Sequence, residues 1–357
     1  MLSRSKILLA AALLMSAGAF AVPANAKTFN ITFAGGHGTH LPWMKAIEEF
    51  YIPEVDKRLK AAGGKDKVTW TKAFGGTLVK IGGALEGVQE GIADMAMVYT
   101  IFEPAKLPLL QVTFLAPFGS GDVTLISKII VEMNNEMPEL KAHWAKQNQV
   151  FLGAIAADTD HTWTKFPVAK LDDYKNRKIG ASGSLSLWAN GIGAVAVQGD
   201  FATHYNNVKT GVYDGLIAFI TGVYPIKIHE VAPYMTKVDL GAMSIGAITI
   251  NKKLFDSMSP ETQKIFRDVG AEYSQRVSAT MKTLAGVFEK KMAAEGAKIS
   301  DFPAAERKKW ATTMPNIAKD WVNRNEDRGE PAKKVLEAYM AKLRANKVEL
   351  VRDWDKE

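Results

Sequence analysis

The sequence of 357 residues contains no cysteine, and this absence removes several classes of protein from consideration. Without cysteine the chain forms no disulfide, binds no iron–sulfur cluster or cysteine-ligated zinc, and has no thiol nucleophile. The sequence also lacks the P-loop, the GxGxxG dinucleotide fingerprint, the HExxH zinc motif and the GxSxG nucleophile elbow. The common sequence signatures of catalysis are therefore missing.

Dense runs of charge are missing as well. Lys and Arg outnumber Asp and Glu by 45 to 38, a formal net charge of +7, but no basic cluster of the kind that binds nucleic acid occurs. Apolar residues make up 47% of the chain, which is enough to form a large core and excludes disorder of the whole chain. The composition predicts a globular protein that does not bind nucleic acid.

The first 26 residues have the layout of a secretory signal peptide. Arg4 and Lys6 form a short positive end, and an apolar stretch of about 14 residues follows. Ala24 and Ala26 then form an A-x-A cleavage pattern. The apolar stretch is shorter than the roughly 20 residues that span a bilayer. We expect cleavage after Ala26, export to a bacterial periplasm and a mature chain that does not itself span the membrane.

The next segment alternates strands with helices. Residues 29–34 and 68–73 have the alternation of strands, residues 42–62 have an apolar helical period, and residues 82–90 and 95–99 predict a further helix and strand. This β-α-β-α-β order is typical of a parallel sheet with helices on its faces.

The second half repeats this plan. The segment Val88-Gln89-Glu90-Gly91-Ile92-Ala93-Asp94-Met95 aligns with Val208-Lys209-Thr210-Gly211-Val212-Tyr213-Asp214-Gly215 at an offset of 120. Both read as a helix-ending glycine, an apolar plug and an aspartate turn into a buried strand. The match predicts two similar α/β lobes, although any α/β protein can reuse such a turn. From Ser259-Pro260-Glu261 onward the pattern becomes helical to about Gly296, and further helices are predicted at 304–324 and 331–346.

Two loops contain groups that could bind a metal ion. His37 and His40 lie in a glycine-rich turn with no carboxylate nearby, and Asp158-Thr159-Asp160-His161 combines two acids with an imidazole. Two acids in a loop more often form a solvated turn than a metal site, so we predict neither a metal nor another cofactor.

Aromatic and polar residues collect at the carboxyl ends of the predicted strands, where ligands of open α/β sheets bind. From them we expect these to bind a ligand: His37, Thr39, Trp43, Tyr99, His161, Trp163, Ser182, Trp188, Tyr205, Asn206 and Phe219.

Four segments then carry a resemblance to one family. They are residues 165–179, similar to "P-V-x-x-x-x-D-L-K-G-x-K-I", residues 205–215, similar to "Y-x-x-L-Q-T-G-V-V-D-G", residues 231–236, similar to "E-V-x-K-Y-L-T", and residues 250–261, similar to "I-N-K…L-S-P-E". In combination with the signal peptide they resemble the solute-binding proteins of tripartite ATP-independent periplasmic (TRAP) transporters.

The resemblance implies a two-lobed periplasmic binding protein fold of the type II kind, with strands crossing the hinge and a long bracing helix. It implies lobe I at residues 27–155 plus about 241–280, and lobe II at about 156–240 plus 281–357 with the C-terminal helices. It also implies that an organic acid is trapped by lobe closure and delivered to two membrane subunits.

The chain departs from the family at one position. Most members have an arginine directly after the Lys-Ile pair and clamp the ligand carboxylate with it, but here the residue is Gly180. We expect this loss to leave space, and we expect His161, Asn206 and Ser182 to bind the carboxylate instead. Trp188, Trp43 and Tyr99 would then hold an aromatic or other apolar body.

Two other functions remain open at this point. A sensor that feeds a receptor would bind its ligand by the same physics as a transport protein. A periplasmic enzyme could use Asp158, Asp160 and His161 as acid–base groups.

Overall fold

The computed structural model describes residues 27–63 and 66–357, so the predicted signal peptide lies outside the described residues. The strands are β1 Lys27–Gly35, β2 Asp66–Ala73, β3 Met95–Val98, β4 Gln149–Ala157, β5 Asp160–Thr164, β6 Lys178–Ala181, β7 Val195–Gln198, β8 Gly215–Phe219, β9 Tyr234–Lys237, β10 Met243–Asn251 and β11 Lys298–Asp301. The helices are α1 Pro42–Ala46, α2 Ile52–Ala61, α3 Ala84–Gln89, α4 Val112–Leu115, α5 Val123–Glu136, α6 Pro138–Lys146, α7 Ser186–Asn190, α8 His204–Thr210, α9 Ile220–Val223, α10 Ile228–Val231, α11 Lys252–Asp256, α12 Pro260–Ala294, α13 Ala304–Thr313, α14 Ile317–Glu326 and α15 Ala332–Ala345.

The strands form two separate sheets. The first has the order β2-β1-β3-β10-β4, in which β1 is parallel to β2 and β3, and β10 is antiparallel to β3 and β4. The second has the order β11-β9-β5-β8-β6-β7, in which β6 is parallel to β7 and β8, and β5 is antiparallel to β8 and β9. The two lobes are built around these sheets.

Two short segments of the chain connect the sheets directly, in addition to the passage through α12, and these two crossings are bonded to each other. The chain leaves β4 through Asp158 and Thr159 to enter β5, and it returns between β9 and β10. The Leu240 amide donates to the Asp160 carbonyl over 3.0 Å, and the Thr159 hydroxyl donates to an Asp239 carboxylate oxygen over 2.6 Å. These paired crossings therefore form a hydrogen-bonded connection between the two lobes.

The repeated segment has the same backbone conformation and makes the same kind of hydrogen bond in both lobes. Gly91 and Gly211 both have positive φ, 78° and 80°, where glycine is favoured. The Asp94 carboxylate accepts a hydrogen bond from the Thr32 amide at 2.8 Å, and the Asp214 carboxylate accepts from the Lys178 amide at 3.0 Å. Each aspartate thus ties the entry of one strand to the neighbouring parallel strand.

The residues that follow these glycines differ from expectation. We predicted an apolar plug at Ile92 and Val212, but their relative exposures are 52% and 46%. In each lobe the aspartate two residues later makes the bonds that fix the turn, so the apolar side chain is left on the surface.

The long helix α12 spans 35 residues, about 52 Å at 1.5 Å per residue, and it contacts both lobes. The Ser259 hydroxyl caps its first turn by accepting from the Thr262 amide at 3.2 Å. Gly270 lies directly over β4, where a Cβ atom would collide with the Leu152 carbonyl. Towards its other end Met281 contacts Thr221 of α9. The predicted bracing role of this helix agrees with these contacts.

The predicted helix at 304–324 is two helices, because Pro315 follows a break at Met314. Helix α13 packs against the turn at residues 171–174 beside the second sheet, whereas α14 and α15 pack against α4 and α5 of the first lobe. The boundaries of the lobes stay a prediction. Within residues 27–63 and 66–357, no helix combines the length and the apolarity needed to cross a membrane.

Candidate functional site

A cleft between the two sheets is the candidate ligand site. It encloses about 520 Å³ of free space, counting the part open to solvent. The first lobe contributes His37, Trp43, Tyr99, Ile101 and Phe102. The second lobe contributes Ser182, Leu185, Asp200, Phe201, Ile217, Ala218 and Phe219. The crossings and the start of β10 contribute Asp160, Met243 and Ile245. The cleft thus lies at the carboxyl ends of the parallel strands β1, β3, β6 and β8.

In the first lobe two side chains converge on the Tyr99 hydroxyl. The Trp43 indole nitrogen donates to it over 3.0 Å, and His37 Nδ1 lies 2.7 Å from it. Burial, aided by the nearby His40, lowers the pKa of His37 to about 4, so its imidazole is neutral at pH 7. With its proton on Nδ1, His37 and Trp43 occupy both lone pairs of the Tyr99 oxygen, and the hydroxyl hydrogen is free to point into the cleft.

In the second lobe a chain of four side chains ends at Ser182. The Asn207 amide donates to the Tyr213 hydroxyl over 3.3 Å, and that hydroxyl lies 2.6 Å from His204 Nδ1. His204 Nε2 lies 3.2 Å from the Ser182 hydroxyl. Burial lowers the pKa of His204 to about 4, so the ring has one N–H. In the tautomer with its proton on Nε2, His204 accepts from Tyr213 at Nδ1 and donates to Ser182, which leaves the Ser182 hydrogen free for the cleft.

Tyr213 also explains Gly180. A Cβ atom on Gly180 would lie 2.6 Å from the Tyr213 ring, closer than two carbon atoms can approach. We expected the missing arginine to leave space, and that expectation is wrong: the tyrosine ring occupies the region into which a side chain at this position would project.

Asp160 is the buried polar group at the crossing between the lobes. Its side chain is completely buried, and neither carboxyl oxygen has a hydrogen-bond partner among the residues that the structure describes. Burial, and then the negative charge of Asp158, raise the pKa of Asp160 well above its usual range. Burial therefore favours the un-ionised form of Asp160.

Asp158, two residues earlier, points away from the cleft. It accepts hydrogen bonds from the amide and the hydroxyl of Thr221, and burial raises its pKa to about 6. We described the loop at residues 158–161 as a solvated turn, which the structure contradicts. The loop is a buried crossing between strands, so both acids are removed from water.

The lining has no cationic side chain. None of the described residues that line the cleft is Lys or Arg, and His37 is neutral. Asp200 lines it half-buried, and its carboxylate accepts from the amides of Ala202 and Thr203 at 3.0 Å each. A ligand inside this cleft therefore meets the hydroxyls of Tyr99 and Ser182 and the carboxyl groups of Asp160 and Asp200, and no cationic side chain among the described residues.

Five of the sequence-predicted residues meet at this cleft, namely His37, Trp43, Tyr99, Ser182 and Phe219. The other six do not line it. Thr39 is half-buried in the turn after β1, Tyr205 donates to Glu230 over 3.3 Å, and Asn206 is exposed.

Two tryptophans and one histidine lie elsewhere for identifiable reasons. The indole nitrogens of Trp163 and Trp188 donate to the Ala218 and Phe114 carbonyls at 3.2 and 2.8 Å, so both rings fill the core. His161 Nδ1 accepts from the Asp239 amide at 3.2 Å in a separate groove. Successive residues of a strand face opposite sides, so Asp160 faces the cleft and His161 faces away.

Four residues line the cleft although they were not among the predicted ligand-binding residues, namely Asp160, Asp200, Phe201 and Ile101; Asp160 had been considered only as a metal-binding or acid–base group. Alternate residues of a strand face opposite sides. If the first residue of β5 had been known, this alternation would have shown that Asp160 and His161 face different sides of the sheet. The other three lie on turns whose direction no sequence period reveals. No group of three or more acidic or imidazole side chains suited to a metal ion occurs in the parts of the chain that the structure describes.

Comparison with solved structures places this fold among known proteins. A TRAP solute-binding protein from Rhodoferax ferrireducens T118, solved with copurified benzoate, has a TM-score of 0.77 at 16% identity, covering 89% of this chain and 98% of that chain. A second, from an unidentified marine microbe and specific for pyroglutamate, has a TM-score of 0.72 at 21% identity, covering 89% and 99%. The predicted two-lobed α/β binding-protein fold is confirmed by these likenesses.

Sequence comparison agrees. A protein of Albidiferax ferrireducens described as "Solute-binding protein" is 23% identical over 309 residues, which are 82% of this chain and 86% of that protein. Residues 57–325 match the family DctP, "Bacterial extracellular solute-binding protein, family 7". The identification made from the sequence is confirmed, and the chain is a binding protein and not an enzyme. Since the match spans well over half of its length, the chain belongs to the bacterial extracellular solute-binding proteins of family 7.

Proposed function

We propose that this protein captures an organic monocarboxylate with an aromatic or other apolar body in the cleft between its lobes, and delivers it to a TRAP-type membrane transporter. The observation that carries the proposal is the make-up of the cleft, where aromatic and aliphatic side chains surround the Tyr99 and Ser182 hydroxyls, whose hydrogens can point into the cleft. The walls suit the body of the ligand, and the hydrogens suit its carboxylate.

The apolar walls come from both lobes, which favours capture by closure. The Trp43 and Phe219 rings lie 6.3 Å apart between centroids, and Phe219 lies 5.1 Å from Phe201 at a steep angle. Trp43 belongs to the first lobe, and the two phenylalanines belong to the second. A flat apolar ligand packed beside these rings would contact both lobes at once and favour the closed state by that difference in contact.

The polar groups of the cleft favour a ligand that carries a hydrogen-bond acceptor at the end opposite its apolar body. With the proton of His37 on Nδ1 and that of His204 on Nε2, the Tyr99 and Ser182 oxygens accept from these rings, and each hydroxyl has one hydrogen left to donate. A carboxylate has four lone-pair sites and accepts from both. A dicarboxylate would bring a second negative charge into a cleft without a cation, which is costly when it is buried. The proposal therefore favours monocarboxylates over dicarboxylates.

Three finer parts of the proposal rest on the sequence. The protein works in the periplasm after cleavage behind Ala26, and its partners are two membrane subunits. The alternative of a ligand sensor that feeds a receptor shares the same binding step. Adjacent genes for two membrane subunits would distinguish transport from sensing.

A ligand screen on the mature protein tests the function. Benzoate, pyroglutamate, succinate and benzylamine are compared by thermal unfolding and titration calorimetry. A ligand at 100 times its dissociation constant stabilises the folded state by about 2.7 kcal/mol, a readily measured shift. We expect benzoate to stabilise more than succinate. Stabilisation by benzylamine with none by any acid would overturn the proposal.

A further inference from the structure

We propose that the Asp160 side chain donates its carboxyl hydrogen to the carboxylate of the bound ligand, so that an acid–carboxylate hydrogen bond serves where an arginine is absent. The inference rests on the proposed function, because it takes the ligand to be a monocarboxylate. In this inference the residue that recognises the charge of the ligand lies at the crossing between the lobes.

The geometry leaves Asp160 with nothing else to bond. Its backbone amide donates to the Gly241 carbonyl at 3.4 Å and its carbonyl accepts from the Leu240 amide at 3.0 Å, whereas both side-chain oxygens lack a partner among the described residues. The residue lines the cleft and is completely buried. Buried polar groups in native proteins almost always have a partner. The ligand supplies one here.

The surrounding charges keep the proton on Asp160. Along the crossing Asp158 adds negative potential, and across the cleft stand the neutral His37, the Tyr99 hydroxyl and the half-buried Asp200. The residue paired with Asp160 in β8, Phe219, is apolar, and so is Met243 of β10, which lines the same cleft. His161, with Lys237 and Asp239, faces a different groove on the other side of β5.

The negative charge of a ligand that enters the cleft itself favours the un-ionised form of Asp160. Two carboxyl groups that share a buried site hold one proton between them, since two adjacent negative charges are unfavourable. A ligand anion therefore raises the pKa of Asp160 further. At any pH where the free protein has lost this proton, binding of the ligand takes up one proton. In that range the affinity for the ligand falls about tenfold for each unit by which the pH rises.

Three variants of the mature protein test the inference. Asp160→Asn keeps a neutral donor of the same shape, and Asp160→Ala removes the donor. The matched control is Asp320→Asn, at an exposed acid of α14 that does not line the cleft. Benzoate affinity is measured by titration calorimetry. We expect Asp160→Ala to weaken binding at least tenfold, Asp160→Asn to stay within about threefold of the parent, and Asp320→Asn to bind like the parent. Equal losses in the alanine and asparagine variants, or none in either, would overturn the inference.

A measurement on the parent protein keeps the test independent of folding in the variants. Infrared difference spectra on adding benzoate should show the C=O band of an un-ionised carboxyl shifting, and this band should be absent in Asp160→Asn. An unchanged band overturns the inference even where benzoate binds. If the parent binds no acid at all, the proposed function itself fails, which is a different result from equal affinities in parent and variants.

Discussion

The contact between Gly180 and Tyr213 yields a quantitative prediction. In Gly180→Ala the new methyl group would lie 2.6 Å from the Tyr213 ring, so the ring or strand β6 must move. Overpacking of this kind costs about 1–3 kcal/mol. A shift of Tyr213 also disturbs its hydrogen bond to His204, and a hydrogen bond contributes about 1 kcal/mol. We expect a total destabilisation of about 2–4 kcal/mol.

A matched control exists in the same chain. Gly286 lies exposed in helix α12 and nothing stands within 4 Å of its virtual Cβ atom. Gly286→Ala should stabilise the protein by about 0.5–1 kcal/mol, because glycine lowers helix stability by that amount. The opposite signs of the two substitutions separate the local contact from the general effect of replacing glycine.

Urea unfolding of the mature protein, followed by circular dichroism, measures both free energies. A double-mutant cycle with Tyr213→Ala identifies the cause, since Gly180→Ala should cost less than about 0.5 kcal/mol once the ring is gone. If the cost is the same with and without the ring, or if Gly180→Ala is as stable as the parent, the ring is not what excludes a side chain at this position.

Three further predictions follow. Ser182→Ala should weaken monocarboxylate binding about tenfold in calorimetry, whereas Ser186→Ala should not, because the Ser186 hydroxyl donates to the Gly183 carbonyl at 3.0 Å and does not line the cleft. Closure predicts a smaller radius of gyration in small-angle scattering with saturating ligand, and an unchanged radius would contradict it. The pKa of His204 is lowered to about 4 by burial, so the unfolded chain takes up its proton first and the parent loses stability as pH falls from about 6.5 towards 4. His204→Gln should therefore reduce the pH slope of the unfolding free energy by about 1.4 kcal/mol per pH unit in that range, and equal slopes in parent and variant would argue against a neutral buried imidazole.

The sequence predicted those parts of the fold that depend on local periods. The strand at residues 29–34 and the helix after Ser259-Pro260 are where hydrophobic alternation and capping placed them, within a few residues. The repeat around Gly91 and Gly211 correctly indicated two similar turns, since the positive φ and the aspartate are local requirements.

The contents of the cleft depended on features that no local period reveals. His161 and Asp160 are neighbours in β5. Which of the two faces the cleft depends on where the strand begins, because successive side chains of a strand face opposite sides. Tryptophan is a common residue in ligand pockets, but the indole nitrogen of Trp188 donates a hydrogen bond to the Phe114 carbonyl of α4, which is distant in the sequence. Gly180 was recognised as unusual, whereas the ring that fills its place comes from Tyr213, 33 positions further along the chain.

Thr221 stands where three parts of the molecule meet. It belongs to α9, its hydroxyl and amide hold Asp158 at the crossing, and Met281 of the long helix contacts it. None of these three residues lines the cleft. The apparent affinity of a two-state binder depends on the fraction of molecules in the competent conformation as well as on the contacts with the ligand. With the proposed closure, we expect substitutions around Thr221 to change the affinity by altering the cost of closing, while the residues that line the cleft stay as they are. The strength of binding and the choice of ligand would then depend on different parts of the molecule, and each could change without the other.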